Sequence, residues 1–163
     1  MAAVLLAASS GAVGAQELRT EAQLKAALLF NFARFTVWPD DATAGPLLFT
    51  IVDDPAVAEC LEELSRGKTL AGRAIQVRRV GGDEAPRPGA VLFVGSAASH
   101  APVLLAQAER GVLTVGEHAR FLRDGGMIRL FLEGSRFRFA VDRRNVERAG
   151  LKLSAQVLDL AER

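Results

Sequence analysis

The chain has 163 residues, 50% hydrophobic and 24% charged, with a formal net charge of +1. That is the balance of one globular domain of ordinary size with enough apolar surface for a substantial core. The near-zero charge excludes a global pull toward nucleic acid, and a single cysteine, Cys60, excludes an internal disulfide.

Met1 to Ala15 is apolar, uncharged and rich in small residues. It is too short to cross a bilayer, which needs roughly 20 apolar residues. Val13-Gly14-Ala15 has the character of a signal-peptidase site, although the run lacks a basic start. Residues 1–15 therefore read as a secretory signal peptide and residues 16–163 as a single mature domain. That domain is expected in a bacterial periplasm.

Thr20-Glu21-Ala22-Gln23 has a capping-box pattern and predicts a helix start. Leu24, Leu28, Phe32 and Phe35 recur at helical spacing and predict its apolar stripe. Trp38-Pro39 marks its stop, because the residue before proline is pushed out of helical geometry. Leu47 to Val52 reads as a strand buried on both faces. Asp54 and Pro55 suit the cap and first turn of a helix running to about Ser65, with Gly67 beyond its end. On that helix Cys60 shares an apolar face with Val57, Leu61 and Leu64, the setting of a buried small hydrophobe.

Ala74 to Val80 reads as a strand, the glycine- and proline-rich 81–89 as a loop, and Ala90 to Val94 as another strand. A helix from Ser99 or His100 to about Arg110, a strand Val112 to Val115 and a short helix Ala119 to Arg123 follow. Strands without polar alternation, separated by helices, imply a parallel sheet covered on both sides. Met127 to Leu132 and Arg136 to Val141 then form a hairpin about Gly134-Ser135, a two-residue turn with glycine first. This register pairs Glu133 with Arg136, Leu132 with Phe137, Leu130 with Phe139 and Ile128 with Val141. One face is apolar. The other carries Arg129, Phe131, Glu133, Arg136, Arg138 and Ala140. Asp142 to Gly150 and Ser154 to Ala161 read as terminal helices. The expected fold is three-layer α/β: a mixed, mostly parallel sheet of about six strands, an antiparallel C-terminal hairpin, and helices on both faces.

The residues supply little for catalysis. His100 and His118 are far apart and belong to no metal-ligand spacing. No nucleophile elbow or phosphate-binding glycine loop is present. Gly81-Gly82-Asp83-Glu84 spells the signature tetrapeptide of diguanylate cyclases, but Ala85-Pro86 follows in a loop, and the match is a coincidence of small and acidic residues. No catalytic residue, metal or cofactor is expected. Two features suit binding. Five of the ten residues from Phe30 to Pro39 are aromatic or proline in a chain with 6% aromatics. Phe30 and Trp38 are expected to reach the surface there, with Arg34 beside them, as anchors for a protein partner. On the outer hairpin face Phe131, Glu133, Arg136 and Arg138 suit an aromatic or anionic small molecule through cation–π and charge-assisted contacts.

The segment Leu24-Lys25-Ala26-Ala27-Leu28-Leu29-Phe30-Asn31-Phe32-Ala33-Arg34-Phe35 with Trp38-Pro39 resembles the opening motif of the YfiR family. Gly67-Lys68 through Gly72-Arg73, then Ile75 and Val77, is similar to that family's connector. Gly125-Gly126-Met127-Ile128, Arg138-Phe139, Asn145 and Gly150-Leu151-Lys152-Leu153-Ser154 with Leu158 and Leu160 resemble its closing motif. The resemblance spans about residues 20 to 161. It implies a non-catalytic periplasmic regulator that forms a homodimer. Such a protein binds the periplasmic domain of an inner-membrane diguanylate cyclase and represses it, limiting cyclic-di-GMP and biofilm formation. It also implies sequestration by an outer-membrane lipoprotein and a small aromatic ligand. The departure is Cys60: the family's best-known member has paired cysteines, so redox control through an internal disulfide does not carry over. The alternative is a periplasmic small-ligand sensor acting on another receptor such as a histidine kinase, and a third is a small envelope enzyme depending on His100 or His118.

Overall fold

The computed structural model describes residues 10–81, 91–99, 101–106, 108 and 110–162, with side chains from residue 14. The elements in order are α1 (Ser10–Arg34), β1 (Thr36–Val37), a 3-10 turn (Asp40–Ala42), β2 (Leu47–Val52), α2 (Pro55–Ser65), β3 (Thr69–Leu70) and β4 (Arg73–Val80). There follow β5 (Val91–Val94), α3 (Ala101–Ala106), β6 (Leu113–Gly116), β7 (Ile128–Glu133), β8 (Arg136–Val141), α4 (Arg143–Arg148), β9 (Lys152–Leu153) and α5 (Ala155–Leu160).

Seven strands form one sheet in the order β3-β4-β2-β5-β6-β7-β8. The five from β4 to β7 are parallel, and the short β3 and the hairpin strand β8 close the two edges antiparallel. The fold is the expected mixed α/β sheet, with one strand more than anticipated. A separate ribbon pairs β1 with β9, Thr36 opposite Leu153. Leu47, Phe49 and Ile51 face the larger core, shared with α1, α2 and the C-terminal elements. Val52, Leu92 and Val94 face a smaller core under α3. This two-sided burial explains why these strands carry unbroken apolar runs.

Local chemistry sets most boundaries. Asp54 accepts the Val57 N–H at 3.1 Å and caps α2, whose first residue is Pro55. Asp142 caps α4 by accepting the Asn145 N–H at 3.1 Å. The β7–β8 register is the one expected, from Ile128↔Val141 to Glu133↔Arg136. Gly134 has φ +61° with no positive φ at Ser135, the geometry of a type II′ turn.

Three expectations are corrected. Thr20 does not cap α1: the helix already begins at Ser10, and the Thr20 hydroxyl donates back to the Gln16 carbonyl at 2.9 Å. The buried stripe of α1 is Ala22, Ala26, Leu29, Phe32 and Ala33, so Leu24 is 51% exposed rather than inward. Residues 119–125 form turns instead of a helix. Phe121 plugs the gap between Gly116 and Gly126, where an added Cβ would lie 2.4 Å and 2.3 Å from its ring, and Gly126 N–H closes onto the Phe121 carbonyl. The expected loop 81–89 and the Gly81–Glu84 tetrapeptide fall, beyond residue 81, outside the described residues, as does His100.

Candidate functional site

In an open α/β sheet the chain reversal beside the first strand opens a crevice at the strand C-termini. Here β2 is flanked by β4 and β5, so the reversal lies between the ends of β2 and β5. The protein fills it. The Gly95 N–H donates to the Val52 carbonyl at 2.9 Å, and a Cβ at Gly95 would sit 3.0 Å from that oxygen. The Ser96 N–H donates to a Glu117 carboxylate oxygen at 3.1 Å. Lys25 reaches down from α1 into the same place, its side chain 7% exposed. Its Nζ lies 2.7 Å from Glu21, 2.8 Å from Glu117 and 3.7 Å from Asp54. Burial on its own would lower the Lys25 pKa; the hydrogen bonds and charges of Glu117 and Glu21 together outweigh it and hold the ammonium above its ordinary range. The cluster clasps α1 to the strand ends.

The expected partner residues are distributed unequally. Phe30 is half-buried on α1 under the Lys68 ammonium, 5.6 Å from the ring centre. Arg34, one turn on, is exposed, its guanidinium 5.5 Å from the Phe35 ring centre. Trp38 does not reach the surface as expected: it is 8% exposed and belongs to the larger core. The reason is the two-residue strand before it. Alternation turns Thr36 in, Val37 out and Trp38 in. Val37, at 62% exposure, is therefore the apolar side chain this segment shows, opposite Lys152 of β9.

The outer hairpin face gathers the expected ligand residues. Phe131 lies directly opposite Arg138, and Glu133 opposite Arg136. Arg138 Nε is 3.1 Å from Glu133 and 3.5 Å from Glu162. Both cations expected to hold a ligand are thus on one surface, but Arg138 already has carboxylate partners. Arg129 belongs with them. Its guanidinium stacks on Phe131 at 5.0 Å, and its buried Nε has no hydrogen-bond partner. The i, i+2 spacing of Arg129 and Phe131 shows their shared face, not the stacking. α3 covers the strands next to this face, leaving Glu133 and Arg136 exposed and Phe131 and Arg138 half-buried.

Elsewhere, His118 is exposed and its Nδ1 accepts the Arg120 N–H at 3.3 Å. Cys60 is buried, and burial foremost raises its thiol pKa, with Glu63 adding to it. Among the described residues no group of His, Cys, Asp or Glu is arranged to hold a metal ion, and no helix is long and apolar enough to cross a membrane. A family model described as YfiR/HmsC-like matches residues 22–162. No curated protein matches the chain.

Proposed function

The chain belongs to the YfiR/HmsC-like family, and from that premise we propose that it is a non-enzymatic periplasmic regulator. It binds the periplasmic domain of an inner-membrane diguanylate cyclase, favours the inactive state of that enzyme and lowers cyclic-di-GMP. A binder represses by population shift: the inactive state is enriched only as far as it is bound more tightly than the active one. The observation that carries this reading is the extent of the family match, residues 22–162, which takes in every strand of the sheet and both candidate surfaces.

In this reading residues 1–15 direct export, and the mature domain 16–163 acts as a homodimer. Phe30 and Arg34 contact the partner, with Trp38 holding the segment from inside the core. Phe131, Glu133, Arg136 and Arg138, joined by Arg129, hold a small aromatic or anionic ligand that tunes repression. An outer-membrane lipoprotein competes for the repressor. Deleting the gene should raise cellular cyclic-di-GMP, and an unchanged level across growth conditions refutes repression. In a binding assay with the cyclase periplasmic domain, Phe30→Ala and Arg34→Ala should weaken the complex while the fold is kept. Trp38→Ala tests stability instead, because its side chain is buried.

A further inference from the structure

We infer that a small-molecule site apart from the hairpin face lies between the end of α3, the start of β6 and α4, and that it takes a small aliphatic carboxylate. The inference goes beyond the repressor reading and does not depend on which receptor is bound.

The cavity there has a volume of about 200 Å3. Two arginines from separate segments line it, Arg110 ahead of β6 and Arg148 at the end of α4. Their segments are tied together, because the Gly111 N–H donates to the Ala149 carbonyl at 2.8 Å. Arg110 passes over Gly150, where an added Cβ would lie 2.9 Å from its Nε, so the glycine leaves the guanidinium its place. Arg148 is held by a buried amide. Asn145, 6% exposed, spends its Nδ2 donors on the Leu122 and Gly126 carbonyls at 3.2 Å and 2.7 Å, and its Oδ1 accepts from Arg148.

Charge points to an anion. Among the described residues, the one carboxylate paired with these two guanidinium groups is Asp41, 3.4 Å from Arg110, with both side chains largely exposed. Asp124, next to Gly125 of the lining, pairs instead with Arg120 at 3.6 Å. The last carbonyls of α4 would repel an anion, but backbone donors occupy them: Ala149 N–H on Asn145, Gly150 N–H on Glu147 and Leu151 N–H on Val146. The site thus carries a surplus of one positive charge, which a single carboxylate balances in the fork of a guanidinium.

The rest of the lining decides the body of the ligand. Leu105, Ala108 and Met127 give the cavity an apolar wall. Thr114, 1% exposed, accepts the Met127 N–H at 3.1 Å, and its own hydroxyl proton has no acceptor among the described residues. That proton is one more donor for an oxyanion. Drug-sized ligands occupy pockets of about 300–1,000 Å3, so this one suits a smaller acid, its carboxylate on the arginines and a short branched hydrocarbon on the wall. Inorganic phosphate would meet the arginines and leave the apolar wall to water.

The probe is 3-methylbutanoate, titrated into the purified protein and followed by backbone amide chemical shifts. It should bind saturably with a dissociation constant of about 1 mM or tighter, a strength open to a ligand of this size. The Thr114, Gly125 and Met127 amides should shift. Its neutral isostere, 3-methylbutanamide, should bind at least about tenfold more weakly, because it brings no charge to the guanidinium groups. Inorganic phosphate should also bind at least about tenfold more weakly, for want of an apolar body. Arg148→Gln keeps an amide donor for Asn145, so it should leave the thermal unfolding midpoint in place and weaken binding about tenfold or more. Ala108→Leu should fill the cavity and abolish binding. No saturable binding, equal binding of the amide or of phosphate, or shifts confined to residues 129–138 of the hairpin overturns the inference. So does full affinity in either variant. None of these failures touches repression itself, which the gene deletion reads separately.

Discussion

The Lys25 cluster and the outer hairpin face contain the same kinds of groups and use them in opposite ways. At the strand ends one ammonium meets three carboxylates, with Lys25 7% and Glu117 12% exposed. On the hairpin, Arg138 shares Glu133 and Glu162 in the open, and Arg129 has an aromatic ring and an unpartnered Nε. Buried ions must be matched or the fold loses several kcal/mol, whereas exposed pairs are worth little and exchange partners readily. The first cluster binds α1 to the sheet; the second, in the function proposed above, is where a ligand would replace existing contacts.

The comparison is best broken at Lys25. Lys25→Met should cost about 3 kcal/mol in urea unfolding, because Glu117 and Asp54 are left without their cation. Adding Glu117→Gln should recover part of it, since the two changes share one interaction. A loss no larger than that of a surface substitution would place the cluster with the hairpin. Alkaline pH probes the same contact. The folded pKa of Lys25 lies above its unfolded value, so its stabilisation is complete below about pH 10.4 and is lost as pH rises through the folded value. The stability difference between the native protein and Lys25→Met should therefore be flat from pH 7 to about 9 and shrink above about 10.

Asp54→Ala should cost about 1–2 kcal/mol, from loss of the α2 cap together with one Lys25 contact. Arg138→Gln should change stability by less than about 0.5 kcal/mol, the scale of an exposed pair. If the proposed ligand site is right, its effect should appear instead in affinity for a small aromatic carboxylate, read by titration. If Arg138→Gln unfolds the protein and leaves that titration unchanged, the hairpin face is structural and the contrast disappears.

Much of the fold was legible because local and long-range demands agree. The unbroken Leu47–Val52 run, the Asp54-Pro55 cap, and the arginine–phenylalanine alternation about Gly134 each admit one arrangement, and β2, α2 and the β7–β8 register follow. The rest depends on partners remote in sequence. Nothing near Lys25 announces that Asp54 and Glu117 will face it, so the apolar spacing alone points α1 inward at Leu24, whereas the helix turns Lys25, Ala26 and Leu29 in. The inward turn of Trp38 is not legible because a two-residue strand, defined only by β9, carries no periodicity of its own. The hairpin face is legible as a surface, but the stacking of Arg129 on Phe131 is not, because it is a matter of rotamer rather than order.

The β1–β9 ribbon has a kinetic consequence. It joins Thr36 to Leu153, and nearby the Glu162 N–H closes onto the Phe139 carbonyl at 2.8 Å. Such distant closures are entropically slow and cannot form before residues 152–162 are available. A nascent chain therefore cannot complete this topology until β9 has emerged, and removal of Lys152 and Leu153 would leave the segment after the first helix without its mate.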